Sequence, residues 1–272
     1  MNFDNKNNHI FTGASSSGLK LQLMEQKSYK KKISLNVPEK IVFVIDTVRE
    51  FSSPEFKLST GQKYKILYIL KRAVEIFLHN KLMLNQKHEF ALVYIDSNKA
   101  EWLCGFTGNL KLLLNKLESI EECIPDNNKS YFDLQQIFNL IYQKVIHEKS
   151  VLEDNVVRII LLYCRSNIIP RFNTTNVIMQ EIISNPNFFL DILYVHEIPS
   201  LDNKCEEIYS ELNKLDIKSV SYIMELSRNV AKLHNYMARL LAHPAQRVSQ
   251  NHIEYSIHPT ILSIIDEYKL HT

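Results

Sequence analysis

The stretch IVFVID at residues 41–46 decides the fold class of this 272-residue chain. Five consecutive apolar residues, most of them β-branched, end there in an acid. An unbroken apolar run, rather than an alternating one, is typical of a parallel strand that is buried on both faces. The segments HEFALVYID at 88–96, VVRIILLYC at 156–164 and FFLDILYVH at 188–196 have the same character. The sequence therefore predicts a mostly parallel central sheet.

Helical segments alternate with these strands. Residues 101–106 follow the strand at 88–96 after only three polar residues, so they are predicted to form its antiparallel hairpin partner. Ser130 followed by Asp133 resembles a capping box that opens a helix. The alternation predicts a three-layer, Rossmann-like α/β domain with one antiparallel edge strand. Helices are predicted at 61–82, 110–117, 130–145, 175–184, 203–215 and 229–242, and a last strand at 219–226.

Composition divides the chain into three parts. Residues 1–37 are polar and lack the apolar periodicity that a core element needs. We predict a disordered N-terminal tail over 1–37, the α/β domain over 38–243 and a C-terminal tail over 244–272. The run Lys30-Lys31-Lys32 in the N-terminal tail is either a nuclear-import address or a solvated basic stretch.

Charge and composition exclude several functional classes. The net charge is +2, of which residues 1–37 carry +4, so the predicted domain has no basic excess to attract nucleic acid. Five dispersed glycines form no phosphate-binding loop. No apolar run approaches the ~20 residues that span a bilayer, and no signal peptide is recognisable. The four cysteines form no C-x-x-C pair, which favours free thiols in a reducing compartment.

Asp46 is the natural candidate for a chemical role, because open α/β sheets bind ligands beyond the carboxyl ends of their strands. It could serve as a metal ligand or a catalytic acid, with Thr47 and Glu50 nearby, or it could cap the turn that follows the strand. Cys164 ends another strand and is either a nucleophile or, more simply, a buried thiol. The chain contains neither an H-E-x-x-H zinc motif nor a G-x-S-x-G nucleophile elbow.

The C-terminal tail carries apolar residues that have no evident place in the domain core. Ile253, Tyr255 and Ile257 are of this kind, and Arg247 offers five hydrogen-bond donors. Apolar residues in a tail indicate docking, either onto a partner or back onto the chain's own domain. If a partner holds Arg247, its truncation is expected to weaken partner binding and to leave the stability of the isolated chain nearly unchanged.

Two groups of residues carry a resemblance to a known family. The segments PEKIVFVID at 38–46, HEFALVYID at 88–96 and AEWLCGFT at 100–107 resemble a von Willebrand factor A-type domain. The stretch LHNYMARLLAHPAQR at 233–247 resembles the MERIT-type scaffold subunit of the BRISC deubiquitinase complex and of the related BRCA-A assembly. The resemblance extends from about Pro38 to Tyr255 and implies a von Willebrand factor A-like fold.

The resemblance also implies a function. Subunits of this type are not enzymes and use no cofactor. They bind the subunit built from ubiquitin-E2-variant domains and stabilise an assembly that contains a metalloprotease deubiquitinase and its pseudo-enzyme scaffold subunit. The family's Pro-x-x-Arg motif falls on Pro244 and Arg247, so the implied partner-binding residues are His243, Pro244, Arg247 and Tyr255. The implied location is the cytoplasm and the nucleus.

The adhesion-type metal site of A domains is degenerate in this chain. Its Asp-x-Ser-x-Ser pattern falls on Asp46, Val48 and Glu50, and valine has no oxygen to give a metal. Metal-binding A domains have a further acid after the fourth strand, where this chain has Cys164-Arg165-Ser166, and Arg165 would repel a cation placed there. Two other functions stay open: a free-standing A-type domain that binds an acidic ligand through a metal at Asp46, and a small hydrolase that uses Asp46 or Cys164.

Overall fold

A six-stranded sheet forms the centre of the protein in a computed structural model. The structure describes residues 37–50, 56–57, 61–126, 129–146, 155–227 and 229–252, so the predicted N-terminal tail, apart from Val37, and Tyr255 lie outside the described residues. The strands of the central sheet are β1 (Glu39–Asp46), β4 (Glu89–Ile95), β5 (Ala100–Thr107), β7 (Val156–Tyr163), β9 (Phe188–His196) and β10 (Ile223–Ser227). Short strands are β2 (Phe56–Lys57), β3 (Lys63–Tyr64), β6 (Tyr131–Asp133) and β8 (Ile169–Arg171).

The central sheet has the order β10-β9-β7-β1-β4-β5. Each neighbouring pair is parallel except β4 and β5, which are antiparallel. This arrangement confirms the predicted mostly parallel sheet with one antiparallel edge strand. The chain builds outward from β1 in both directions, so the topological switch point lies beside β1. In such sheets ligands bind at the carboxyl ends of the strands near the switch point.

Helices cover both faces of the sheet and complete the three predicted layers. They are α1 (Ile66–Leu84), α2 (Leu110–Glu118), α3 (Gln135–Ile141), α4 (Val177–Ser184), α5 (Cys205–Asn213) and α6 (Val230–Leu240). One apolar core lies under α1, α2 and α6, and a second lies under α3, α4 and α5. Among the described residues, no helix combines the length and the apolarity that crossing a membrane requires.

The segment around residue 130 differs from the prediction. The capping box was wrong, because Tyr131–Asp133 forms strand β6, which pairs with β8. Asp133 still caps the following turn, since its Oδ1 accepts a hydrogen bond from the backbone N–H of Gln135 at 2.9 Å. Helix α3 therefore begins at Gln135, and it continues as a π-helical turn over Tyr142–Ile146. A capping pattern alone does not reveal that the same backbone pairs with a distant strand.

Candidate functional site

The carboxyl end of β1 carries a buried ion pair between Asp46 and Arg165. Asp46 is 2% exposed and Arg165 is 0% exposed. The Nε of Arg165 lies 3.1 Å from both carboxylate oxygens, and its Nη2 lies 3.1 Å from Oδ1. The backbone N–H groups of Val48 and Cys164 also donate to this carboxylate, at 3.2 and 3.0 Å. Both oxygens of Asp46 are thus already engaged within the chain.

Further contacts hold the guanidinium of Arg165 in place. Its Nη2 donates to the backbone carbonyl of Asp96 at 2.7 Å, and its plane lies 4.4 Å from the ring centroid of Phe132. Burial lowers the pKa of Arg165, but the Asp46 carboxylate together with Tyr163 and Cys123 outweighs burial, so this pKa lies above its ordinary value. A permanent cation of the protein therefore neutralises the acid that sequence analysis singled out.

The carboxylate of Glu50 binds backbone N–H groups in the same region. Its carboxylate accepts hydrogen bonds from the backbone N–H groups of Ser166 and Asn167, at 2.8 and 3.0 Å. Burial raises the pKa of Glu50, and these hydrogen bonds oppose that effect. Val48 is buried and pairs with Cys123. The three positions of the degenerate metal site thus hold together the loops at this edge of the sheet.

We expect the isolated protein to bind no divalent cation at Asp46. A Mg²⁺ ion needs several free oxygen ligands, and both carboxylate oxygens of Asp46 face the Arg165 guanidinium. Among the described residues, no cluster of three or more His, Cys, Asp or Glu side chains has metal-binding geometry. Calorimetric titration with Mg²⁺ or Mn²⁺ should give only the heat of dilution. Micromolar binding that disappears in Asp46→Asn would contradict this expectation and favour the metal-dependent A-type alternative.

Cys164 lies in the core and lacks the environment of a nucleophile. It is 2% exposed, and burial raises the pKa of its thiol well above the ordinary value. A reactive cysteine instead has a lowered pKa and an accessible sulfur. These observations weigh against the hydrolase alternative.

A second group of buried charges lies at the opposite, amino edge of the sheet, on the face covered by α1 and α6. It consists of Glu39, Lys81, Arg158, Asp191 and Arg247, which we call the charged cluster. The first four are at most 2% exposed, and the Arg247 side chain is 3% exposed. Buried charges of this kind are stable only when they are paired and hydrogen-bonded.

Arg158 is the centre of the charged cluster. Its Nε donates to Oδ2 of Asp191 at 2.7 Å, and its Nη1 lies 3.3 Å from Oε2 of Glu39. The same Nη1 donates to the backbone carbonyl of Leu240 at 2.7 Å, where α6 ends. Arg158 therefore joins β1, β7, β9 and the end of α6.

His88 lies next to the charged cluster in its neutral form. The backbone N–H of Glu39 donates to its Nδ1 at 2.9 Å, so this nitrogen carries no proton. Burial, together with the nearby Lys81 ammonium, lowers the pKa of His88 to about 4. Burial also lowers the pKa of His243. Both imidazoles are therefore neutral at physiological pH, and neither adds to the positive charge of the cluster.

The residues after α6 pack on the domain, and we call residues 243–252 the C-terminal segment. Pro244 is buried. The guanidinium of Arg247 forms a two-pronged ion pair with Asp191, in which Nη1 lies 2.9 Å from Oδ2 and Nη2 contacts Oδ1. Its plane stacks 3.7 Å from the ring centroid of Tyr222. In this structure the cation of Arg247 is held by the chain's own domain.

Two further contacts bind the C-terminal segment. The hydroxyl of Tyr222 donates to the backbone carbonyl of Val248. The side-chain amide of Gln250 accepts from the backbone N–H of Ile223 at 2.7 Å and donates to its carbonyl at 3.0 Å. Gln250 thus pairs with the outer edge of β10 as a neighbouring strand would.

Comparison with known proteins identifies the family. No family model matches the chain. BRISC and BRCA1-A complex member 1 of Xenopus tropicalis is 34% identical over 231 residues, which is 82% of this chain and 71% of that protein. The Mus musculus protein of that name is 35% identical, and the Homo sapiens protein 34%, each over 235 residues, with 68% and 69% of those proteins covered. The chain belongs to this family.

Solved structures resemble this member of the BRISC and BRCA1-A complex member 1 family only distantly. The SpRpn10 VWA domain aligns at a TM-score of 0.48 and 12% identity, over 78% of this chain and 99% of that one. The N-terminal domain of TFIIH p34 aligns at a TM-score of 0.48 and 12% identity, over 75% of this chain and 97% of that domain. The von Willebrand factor A-like fold rests on the strand order and on the single antiparallel edge strand of the sheet.

Sequence analysis of this family member located the carboxyl edge but not the charged cluster. Asp46, Val48 and Glu50 lie at that edge, where Arg165 contacts Asp46 and the backbone N–H of Ser166 contacts Glu50. Arg158 and Asp191 were missed, although each is the charged residue of an otherwise apolar strand. Such charges of opposite sign on neighbouring strands are a readable signal for a buried pair.

Proposed function

We propose that this chain is a non-catalytic scaffold subunit of a polyubiquitin-cleaving assembly, either BRISC or the BRCA1-A complex. Its similarity to BRISC and BRCA1-A complex member 1 supports a role within such a complex. The observation that carries the non-catalytic part is the ion pair of Arg165 with Asp46. That pair takes up the carboxylate at the edge of the sheet where open α/β domains bind ligands.

The proposed direct partner is the subunit built from ubiquitin-E2-variant domains. The proposed contact is the Pro-x-x-Arg motif at Pro244 and Arg247, with His243 and Tyr255 beside it. Through this partner the chain joins the metalloprotease deubiquitinase and its pseudo-enzyme scaffold subunit, in the cytoplasm and the nucleus. An arginine suits this role, because its planar guanidinium makes paired, charge-assisted hydrogen bonds to carboxylates. We propose no contact with nucleic acid or with a membrane.

Arg247→Ala is expected to weaken binding of the E2-variant subunit by about 30-fold or more. Truncation of an arginine at the centre of an interface costs about 2 kcal/mol or more, which corresponds to that factor. Because Arg247 is also paired with Asp191, we expect the substitution to lower the free energy of unfolding of the isolated chain by about 1–3 kcal/mol. This loss replaces the sequence-based expectation of unchanged stability. Calorimetric titration of the purified subunits and urea denaturation measure the two effects.

Arg171→Ala is the control for this experiment. Arg171 is exposed at the end of β8 and lies over the Tyr131 ring, so its truncation should leave partner affinity almost unchanged and cost no more than about 1 kcal/mol of stability. An Arg247→Ala protein that loses stability but binds the subunit as tightly as before would contradict the proposed contact. Arg247 would then serve only to fold its own domain.

A further inference from the structure

Both residues of the proposed partner-binding motif are hidden in the free chain. Pro244 is buried, and the side chain of Arg247 is 3% exposed. An anchor in that position cannot contact a second protein while it stays where it is. Partner binding through this motif therefore requires the C-terminal segment to leave the domain.

The place that Arg247 occupies has the features of a binding site for arginine. Asp191 supplies both carboxylate oxygens, the carbonyl of Val220 accepts from Nη2 at 2.9 Å, and the Tyr222 ring covers the guanidinium. Carboxylate, carbonyl and aromatic face are the three groups that recognise guanidinium. Three residues further along, the side-chain amide of Gln250 forms two hydrogen bonds with the backbone of Ile223. We call Asp191, Val220, Tyr222 and Ile223 the arginine site.

The charged cluster stays balanced when Arg247 leaves. With Arg247 it contains two carboxylates, those of Glu39 and Asp191, and three cations. Without Arg247 two carboxylates face two cations. Asp191 then keeps its bond from Nε of Arg158 at 2.7 Å and that from the backbone N–H of Tyr222 at 2.7 Å. Departure of Arg247 therefore leaves no uncompensated buried charge, which is the usual penalty for breaking such a pair.

The fit of Arg247 in the arginine site is also incomplete. Within the part of the chain that the structure describes, its Nε is buried without a hydrogen-bond acceptor. A buried donor that makes no hydrogen bond offsets part of the stabilisation from the other contacts. Such a site holds its ligand and still allows it to leave.

We propose that the arginine site is a reversible peptide-binding site for an Arg-x-x-Gln segment, which holds the chain's own C-terminal segment and competes with the E2-variant subunit for Arg247. This inference rests on the proposed function for the identity of the competitor. In the free chain the docked form prevails, and the subunit binds only the released form. The apparent affinity for the subunit is then the intrinsic affinity reduced by the released fraction.

Variants that loosen docking without touching Pro244 or Arg247 should therefore bind the subunit more tightly. Gln250→Ala removes the two hydrogen bonds to Ile223, and Tyr222→Phe removes the hydroxyl that donates to Val248 but keeps the ring. We expect Tyr222→Phe to bind the purified subunit about fivefold more tightly, which is the effect of one net hydrogen bond, and Gln250→Ala up to about 30-fold more tightly, because it removes two. Ser249→Ala is the matched control, because Ser249 lies exposed in the same segment and its hydroxyl contacts His252 of that segment, so its affinity should not change.

Hydrogen exchange in the free chain tests the arginine site without the partner. The amide of Ile223 donates to Gln250, whereas the amide of Ile192 donates to Tyr222 within the sheet. If the C-terminal segment opens by itself, the Ile223 amide should exchange at least tenfold faster than that of Ile192. Equal exchange of both amides, through global unfolding only, would show that the segment is a permanent part of the domain and would overturn the proposal.

The two measurements separate failure of this inference from failure of the proposed function. If Arg247→Ala loses the subunit while Gln250→Ala and Tyr222→Phe bind as the unaltered chain does, the motif contacts the partner but no competition exists, and the arginine site is not reversible. If Arg247→Ala binds the subunit normally, the proposed contact is wrong, and so is the competition. The exchange of the Ile223 amide then decides whether the site is reversible on its own.

Discussion

Arg158→Met is expected to lower the free energy of unfolding by about 3–5 kcal/mol. Arg158 is completely buried and pairs with Asp191 and Glu39, and it also donates to the carbonyl of Leu240. Methionine fills much of the volume of arginine, but it removes the positive charge that neutralises the buried carboxylates of Glu39 and Asp191. Removal of one member of a buried ion pair typically costs this amount, because the remaining charge stays desolvated.

Urea denaturation followed by circular dichroism measures this effect, with Arg171→Met as the control. Arg171 is exposed and its guanidinium lies over the Tyr131 ring at the surface, so its replacement should lower the free energy of unfolding by no more than about 1 kcal/mol. A loss below about 1 kcal/mol in Arg158→Met would mean that water or a rearranged Arg247 reaches Asp191 and Glu39. The charged cluster would then not support the fold in the way its geometry indicates.

Arg165→Met is the second substitution with a large expected effect, again about 3–5 kcal/mol. It leaves the Asp46 carboxylate buried at the end of β1 with only backbone N–H donors, from Val48 and Cys164. It also removes the hydrogen bond to the carbonyl of Asp96, which ties β4 to the loop after β7. We expect the variant to lose stability rather than to gain a new activity.

The double variant Asp46→Asn with Arg165→Met tests whether the charge is the cause. An asparagine in place of Asp46 removes the buried negative charge and keeps one oxygen as an acceptor. The double variant should therefore be more stable than Arg165→Met alone, and the cycle completed with the single variant Asp46→Asn should give about 1–3 kcal/mol of coupling energy. Purely additive losses would show that packing of Arg165 against Phe132, and not the ion pair, holds this edge of the sheet.

The central strands were predictable because unbroken apolar runs leave few alternatives. The run at 41–46 lies within β1, and the run at 188–196 coincides with β9. Helix limits were less exact: the helix predicted at 61–82 begins at Ile66, because Lys63 and Tyr64 form strand β3. Pairing of two-residue strands depends on partners that local patterns do not report.

For the site at the carboxyl end of β1, the sequence indicates which residues are present but not which of them contact each other. Sequence analysis placed Arg165 near Asp46 as a residue that repels a cation, and the structure makes it the direct partner of that acid. The direction of a side chain after a strand end depends on the loop, which a motif does not describe. For Glu39, Arg158 and Asp191 a signal existed, since each stands two residues before an apolar residue of the same face.

The order of the charged residues along the chain matters for how the charged cluster is assembled. Glu39, Lys81, Arg158 and Asp191 emerge before Arg247, and their charges already cancel. Once α6 supplies the carbonyl of Leu240, these four residues have their mutual ion pairs without any contribution from the C-terminal segment. Chains that stop just before Pro244 would therefore keep an electrically neutral cluster. They would still lack the motif proposed to bring the protein into its complex.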